Sequence, residues 1–165
     1  MESTSYREFS AWPGWVELVV WGCLGATSLP FVFGLGTDSG IGSRVISIAA
    51  ILGIGVAIRY IFGGLTALVQ ETRLLIYMGS IPLVKRSIPF ADIVSIESVR
   101  YRPIAEFGGW GIRGIGKKKA WTVRGNQAVV LTLSNDRLLY VGSDSPEKLE
   151  EHIRRAMTAS SLLSE

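Results

Sequence analysis

The chain has 165 residues, with 17 Lys or Arg against 14 Asp or Glu and a formal charge of +3. Its single cysteine, Cys23, excludes an intrachain disulfide and any cysteine-based zinc site. From Glu71 onward there are 14 basic and 10 acidic residues, a net +4. That field is too weak and dispersed for nucleic acid, but it suits anionic lipid headgroups or acidic protein surfaces.

Residues 1–14 read as an N-terminal tail. Two apolar stretches follow, 15–36 and 45–62, of 22 and 18 residues. A helix rises about 1.5 Å per residue, so about 20 apolar residues cross a hydrocarbon core. Glu17 is the sole charge of the first stretch, and Arg59 lies near the far end of the second. Neither stretch has a polar face, which favours lipid over a soluble core as its surroundings. The start, with one Arg against two Glu, and the long apolar run argue for a retained span rather than a cleaved signal. Between the stretches, GLGTDSGIGSR (34–44) reads as a tight polar turn, making the helices antiparallel.

Arg7, Arg59 and Arg73 flank the terminal side of this hairpin, with Lys85 and Arg86 further along, whereas the turn offers only Arg44. The positive-inside rule then puts both termini and everything after residue 65 in the cytoplasm, and Trp12, Trp15 and Tyr60 become interface anchors. Glu17, two positions from Trp15, reads either as a carboxylate at the headgroup boundary or as an intramembrane contact to a neighbouring protein. Pro30 is expected to kink or end the first helix. Gly53, Gly55, Gly63 and Gly64 permit close helix packing.

After residue 65 the pattern shifts to short runs of period two. LTALV (65–69), RLLIYMG (73–79), PLVKRSIPF (82–90), DIVSIESVRY (92–101), AWTV (120–123), AVVLTL (128–133) and RLLYVG (137–142) read as seven strands. In the fourth, alternation puts Ile93, Ser95, Glu97 and Val99 on one face. The turn RGNQ separates the fifth and sixth strands, and SND closes a compact hairpin between the last two. SDSPEKLEEHIRRAMTAS then reads as an amphipathic helix over about 145–159, with residues 160–165 as a tail. Pro146 suits its first turn, and Glu150–Arg154 and Glu151–Arg155 are i,i+4 pairs on its exposed side.

Seven strands closed by a C-terminal helix resemble the pleckstrin-homology (PH) fold. The chain looks like a bacterial membrane protein in which two transmembrane helices lead directly into a PH-like domain. The residues carrying this are LTALVQETRLLIYMG, IPFADIVSIESVRYRP, FGGWGIR and AVVLTLSNDRLLYVGSDSPEKLEEHI. The resemblance implies an α+β membrane protein: an N-terminal helical hairpin, then a seven-stranded β-sandwich or barrel capped by a C-terminal helix. It implies the inner membrane as location, and architecture rather than chemistry. Where PH-like domains bind phosphoinositides, they use basic residues on an early hairpin, and only Lys85 and Arg86 qualify here.

FGGWGIRGIGKKKAW (107–121) holds five glycines within 108–117 and imitates two nucleotide-binding strings. Both need a helix after the loop, whereas KKKAWTV reads as a strand, so no cofactor is expected. The segment reads instead as a bent excursion between strands. Trp110, Arg113, Lys117, Lys118 and Lys119 are its candidates for docking lipid or a partner. His152, the sole histidine, has only acids nearby as co-ligands and reads as solvated or capping. Without a second base or a paired carboxylate motif the chain reads as non-catalytic. The expectation is a membrane adaptor, scaffold or accessory subunit that contacts membrane lipid and other integral membrane proteins and binds no nucleic acid. Alternatives are an anionic-lipid sensor built on Arg113 and Lys117–Lys119, and a regulatory subunit of a membrane enzyme or transporter.

Overall fold

The computed structural model describes residues 4–35 and 40–162. Strand β1 (Thr4–Ala11) leads through Pro13 into helix α1 (Gly14–Phe33), which pairs with α2 (Ile41–Phe62). Both helices are long and apolar enough to cross a membrane, and the rest of the chain buries almost none of their side chains. The middle of the polar turn, including Asp38, lies outside the described residues, as does the end of the first expected span at Gly36. α1 runs through Pro30 and stops three residues later, where Gly34 turns left-handed and donates its N–H to the Pro30 carbonyl. α2 begins a turn earlier than its apolar stretch.

At Gly55 an added methyl would collide with Leu24 and Trp21 of α1, so this glycine is where the two helices close on each other. Gly53, by contrast, faces open space. Ser28 is buried, and its hydroxyl donates to the Leu24 carbonyl at 2.8 Å.

Strands β2 (Gly64–Gln70), β3 (Arg73–Met78) and β4 (Lys85–Pro89) join β1 in an antiparallel sheet of order β1-β2-β3-β4. The second sheet has order β5-β8-β9-β7-β6, from β5 (Ile93–Arg100), β6 (Gly111–Ile115), β7 (Lys118–Thr122), β8 (Gln127–Leu133) and β9 (Leu138–Gly142). The described residues thus form nine strands in two sheets, not seven. One added strand, β1, lies where an N-terminal tail was expected. Only Tyr6 and Phe9 give it large apolar side chains, so its alternation carries little hydrophobic signal. The other is β6, half of the glycine-rich excursion, which pairs with β7 from Gly111↔Thr122 to Ile115↔Lys118.

The RGNQ turn does not join neighbours. β9 lies between β7 and β8 and runs parallel to β7, so a chain crossing separates two strands that sequence order places side by side. The hairpins β2–β3 and β8–β9 form as their patterns imply, and Asp136 takes the left-handed conformation (φ 57°) in the second. In β5 a register shift between Ile93 and Ser95 leaves Val94 68% exposed. That bulge breaks strict alternation and brings both Ile93 and Ile96 to the core face.

The main core lies between the sheets. Leu65, Ala67 and Val69 alternate inward from β2, Leu74, Ile76 and Met78 from β3, and Val129, Leu131 and Leu133 from β8. Helix α4 (Pro146–Leu162) packs Leu149 and Ile153 against them, each fully buried and each contributing about 1.5–3 kcal/mol of transfer free energy. Pro146 opens the helix as its sequence implies. The helix passes the expected end at 159 by three residues; residues 163–165 lie outside those described. The opposite face of the second sheet carries Ala120, Ala128, Val130 and Tyr140, covered by Tyr101 and by Phe107 of the short helix α3 (Pro103–Phe107). This second cluster explains why AVVLTL is apolar on both faces.

Candidate interface at the helix–sheet junction

Because β1 and β2 pair antiparallel, from Thr4↔Gln70 to Ala11↔Gly64, two adjacent strands run directly into the two helices. Backbone bonds lock the joint: Trp12 N donates to Gly63 O at 3.1 Å, Gly79 N to Gly64 O at 2.7 Å and Ser80 N to Tyr60 O at 2.9 Å. Gly79 takes φ 71°, and any side chain there would overlap the Tyr60 and Ile61 backbone. The third strand is thereby pressed against the end of α2.

One turn into α1, Glu17 Oε1 meets Arg59 Nε at 2.9 Å. Antiparallel helices put both residues at the same depth, so each apolar stretch supplies the partner for the other's charge. Arg59 also reaches the Gly63 carbonyl at 3.3 Å. Glu17 therefore makes its contact within the hairpin.

Two surface features flank the joint. Beside Tyr60, the loop after Gly79 exposes Ile81 and Leu83, and exposed Lys85 follows. Arg86 lies half-buried, and burial, with Arg137 as a like-charged neighbour, lowers its pKa. On the other side a cleft of about 340 Å³ is walled by Trp12, Trp15, Val16 and Met78, by Gly109, Trp110, Gly111 and Arg113, and by Thr122 and Val123. Trp110 is fixed by its Nε1–H, which donates to the Gly125 carbonyl at 2.8 Å, and Arg113 Nε donates to the Trp110 carbonyl at 3.2 Å. Gly108, Gly109 and Gly111 all have positive φ (71°, 122° and 109°), which lets the backbone fold back under α1. Buried Tyr101 and Thr122 bring their hydroxyls close without a well-formed hydrogen bond. Burial raises the Tyr101 pKa, and Thr122 offsets part of that rise.

The expected basic cluster is divided. Trp110 and Arg113 join Trp12 and Trp15 at the cleft, whereas Lys117, Lys118 and Lys119 occupy the far end of the β6–β7 ribbon. Lys118 is four residues from Thr122, about 13 Å along the strand. Lys118 and Lys119 point to opposite faces of that ribbon, and Lys117 pairs with Asp136 at 3.5 Å.

His152 is half-buried on α4, and its ring stacks on Tyr6 at 4.1 Å. The pair Glu150–Arg154 does not sit on a free face. Glu150 Oε2 accepts from Ser98 N at 2.8 Å and Ser98 Oγ at 2.5 Å, and Arg154 reaches the Ile96 carbonyl at 2.5 Å. Glu8 escaped the sequence reading altogether. Its carboxylate accepts from Ser143 Oγ at 2.7 Å and Asp144 N at 2.8 Å, tying β1 to the entry of α4. Among the described residues no group of three or more His, Cys, Asp or Glu gathers in one place.

No family model matches the chain, and none of the curated proteins compared with it matches.

Proposed function

We propose that the chain is a non-catalytic membrane adaptor or accessory subunit. Its hairpin packs on other integral membrane proteins in a bacterial inner membrane, and its cytoplasmic β-domain, PH-like in architecture, docks on a partner surface. The observation that supports this reading most is the junction. Paired strands continuing into paired helices leave no tether, so the domain's reach is limited to what adjoins the hairpin, which suits clamping a neighbour. Large apolar residues such as Leu18, Val19, Ile46 and Ile54 project outward from the helices and need lipid or protein to cover them. The excess of arginines at the terminal side supports the cytoplasmic placement, and two packed sheets with a helix across their open edge support the PH-like assignment.

The test is photo-crosslinking in cells from residues substituted at Val19 and Ile46 of the full chain. Discrete protein adducts are expected, and an unrelated two-helix hairpin exchanged for residues 14–62, carrying the same photo-reactive residues at equivalent depths, should give none. Adducts to lipid alone would contradict an adaptor role.

A further inference from the structure

The cleft at the junction has a composition that the adaptor reading does not use. Its wall is tryptophan, valine and methionine, with Arg113 as the one charged residue and no acid. The nearest carboxylate along α1, Glu17, is already neutralised by Arg59. Arg113 spends its Nε–H on the Trp110 carbonyl, leaving its terminal nitrogens without a protein partner among the described residues. The cleft opens where the apolar helices end and the sheet begins, at the level of Trp12 and Trp15.

We infer that this cleft holds one anionic phospholipid of the surrounding bilayer. A phosphate is recognised by the free fork of Arg113, and an acyl chain lies along Val16 and the tryptophan rings. A guanidinium fork matches phosphate oxygens in a way surface lysines do not. The apolar wall requires a ligand with a hydrocarbon part, which favours a lipid over free phosphate. The lipid would seal the gap between α1 and the glycine-rich segment. The site differs from one built on Lys117–Lys119, which lie at the far end of the ribbon. It rests on the hairpin being embedded in a bilayer.

The experiment uses the full-length chain, delipidated in detergent, and native mass spectrometry with added phosphatidylglycerol or phosphatidylcholine. One phosphatidylglycerol per chain should be retained, with a preference of about tenfold over phosphatidylcholine. Arg113→Gln should remove the preference, and Val16→Trp, which fills the cleft but keeps the charge, should reduce retention of both lipids. Replacing Lys117, Lys118 and Lys119 together by Gln should leave the preference intact. Equal retention of the two lipids would overturn the inference. So would a preference that survives both cleft variants, one lost with the three lysines, or displacement by excess inorganic phosphate. Vesicle flotation of the same samples separates the premises: a chain that floats but shows no preference disproves the cleft alone, whereas one that fails to float disproves the embedded hairpin.

Discussion

Arg59 Nε lies 2.9 Å from Glu17 Oε1, and this pair joins the two apolar helices one turn above the sheet. Each side chain is about a third exposed, 36% and 35%, so solvent screens part of the attraction. Arg59→Glu should destabilise the hairpin by placing two carboxylates together. The exchange Glu17→Arg with Arg59→Glu should recover most of the loss. A double-mutant cycle from thermal unfolding in detergent should give a coupling of about 1 kcal/mol. A coupling of zero would mean that the two charges act independently.

Gly55 and Gly53 make a paired test of hairpin packing. Gly55→Leu drives a side chain into Leu24 and Trp21 and should cost about 1–3 kcal/mol. Gly53→Leu enters open space and should be near neutral in the same unfolding assay. Equal effects would mean that the helices do not close at Gly55.

Glu150 should make stability depend on pH in a defined direction. Hydrogen bonds from Ser98, then from Arg154, hold its carboxyl below the usual glutamate range. A group with a depressed native pKa contributes fully above its unfolded value, about 4.3, and that contribution fades as pH falls through the native value. Glu150→Gln should therefore be less stable than the parent at neutral pH, with the gap narrowing below about pH 4. Chemical denaturation across pH checks this, and a gap that widens on acidification would refute the assignment.

Glu8 ties the first strand to the entry of α4. Glu8→Ala removes the acceptor for Ser143 and Asp144 and should cost about 1–3 kcal/mol. Glu147→Ala, at an exposed position on α4, should stay within about 0.5 kcal/mol. Comparable melting of the two variants would show that β1 is not anchored there.

The sequence pattern made the helices, the strands of the main core and the last helix legible because each carries an apolar period matched to its element. β2, β3 and β8 send alternate residues into the main core, and α4 buries Leu149 and Ile153. What escaped had no such period. β1 is half polar and gains its place by pairing with β2. β6 has exposed Ile112 and Ile115 among glycines and is ordered by its register with β7. The parallel β7–β9 pairing is a long-range choice that no local turn signal encodes. The salt bridge was recoverable, since Glu17 and Arg59 sit at matching depths of an antiparallel hairpin. The division of Arg113 from Lys117–Lys119 was not, because it depends on β6 being a strand with two faces.

The reading as a whole rests on the hairpin crossing a bilayer with the β-domain fixed on one side. In a Cys23→Ser background, single cysteines at Gly42 and Lys148 can be labelled with an impermeant maleimide in sealed right-side-out and inverted inner-membrane vesicles. Position 42 should react only in right-side-out vesicles and position 148 only in inverted ones. Both positions reacting from the same side would contradict a membrane-crossing hairpin.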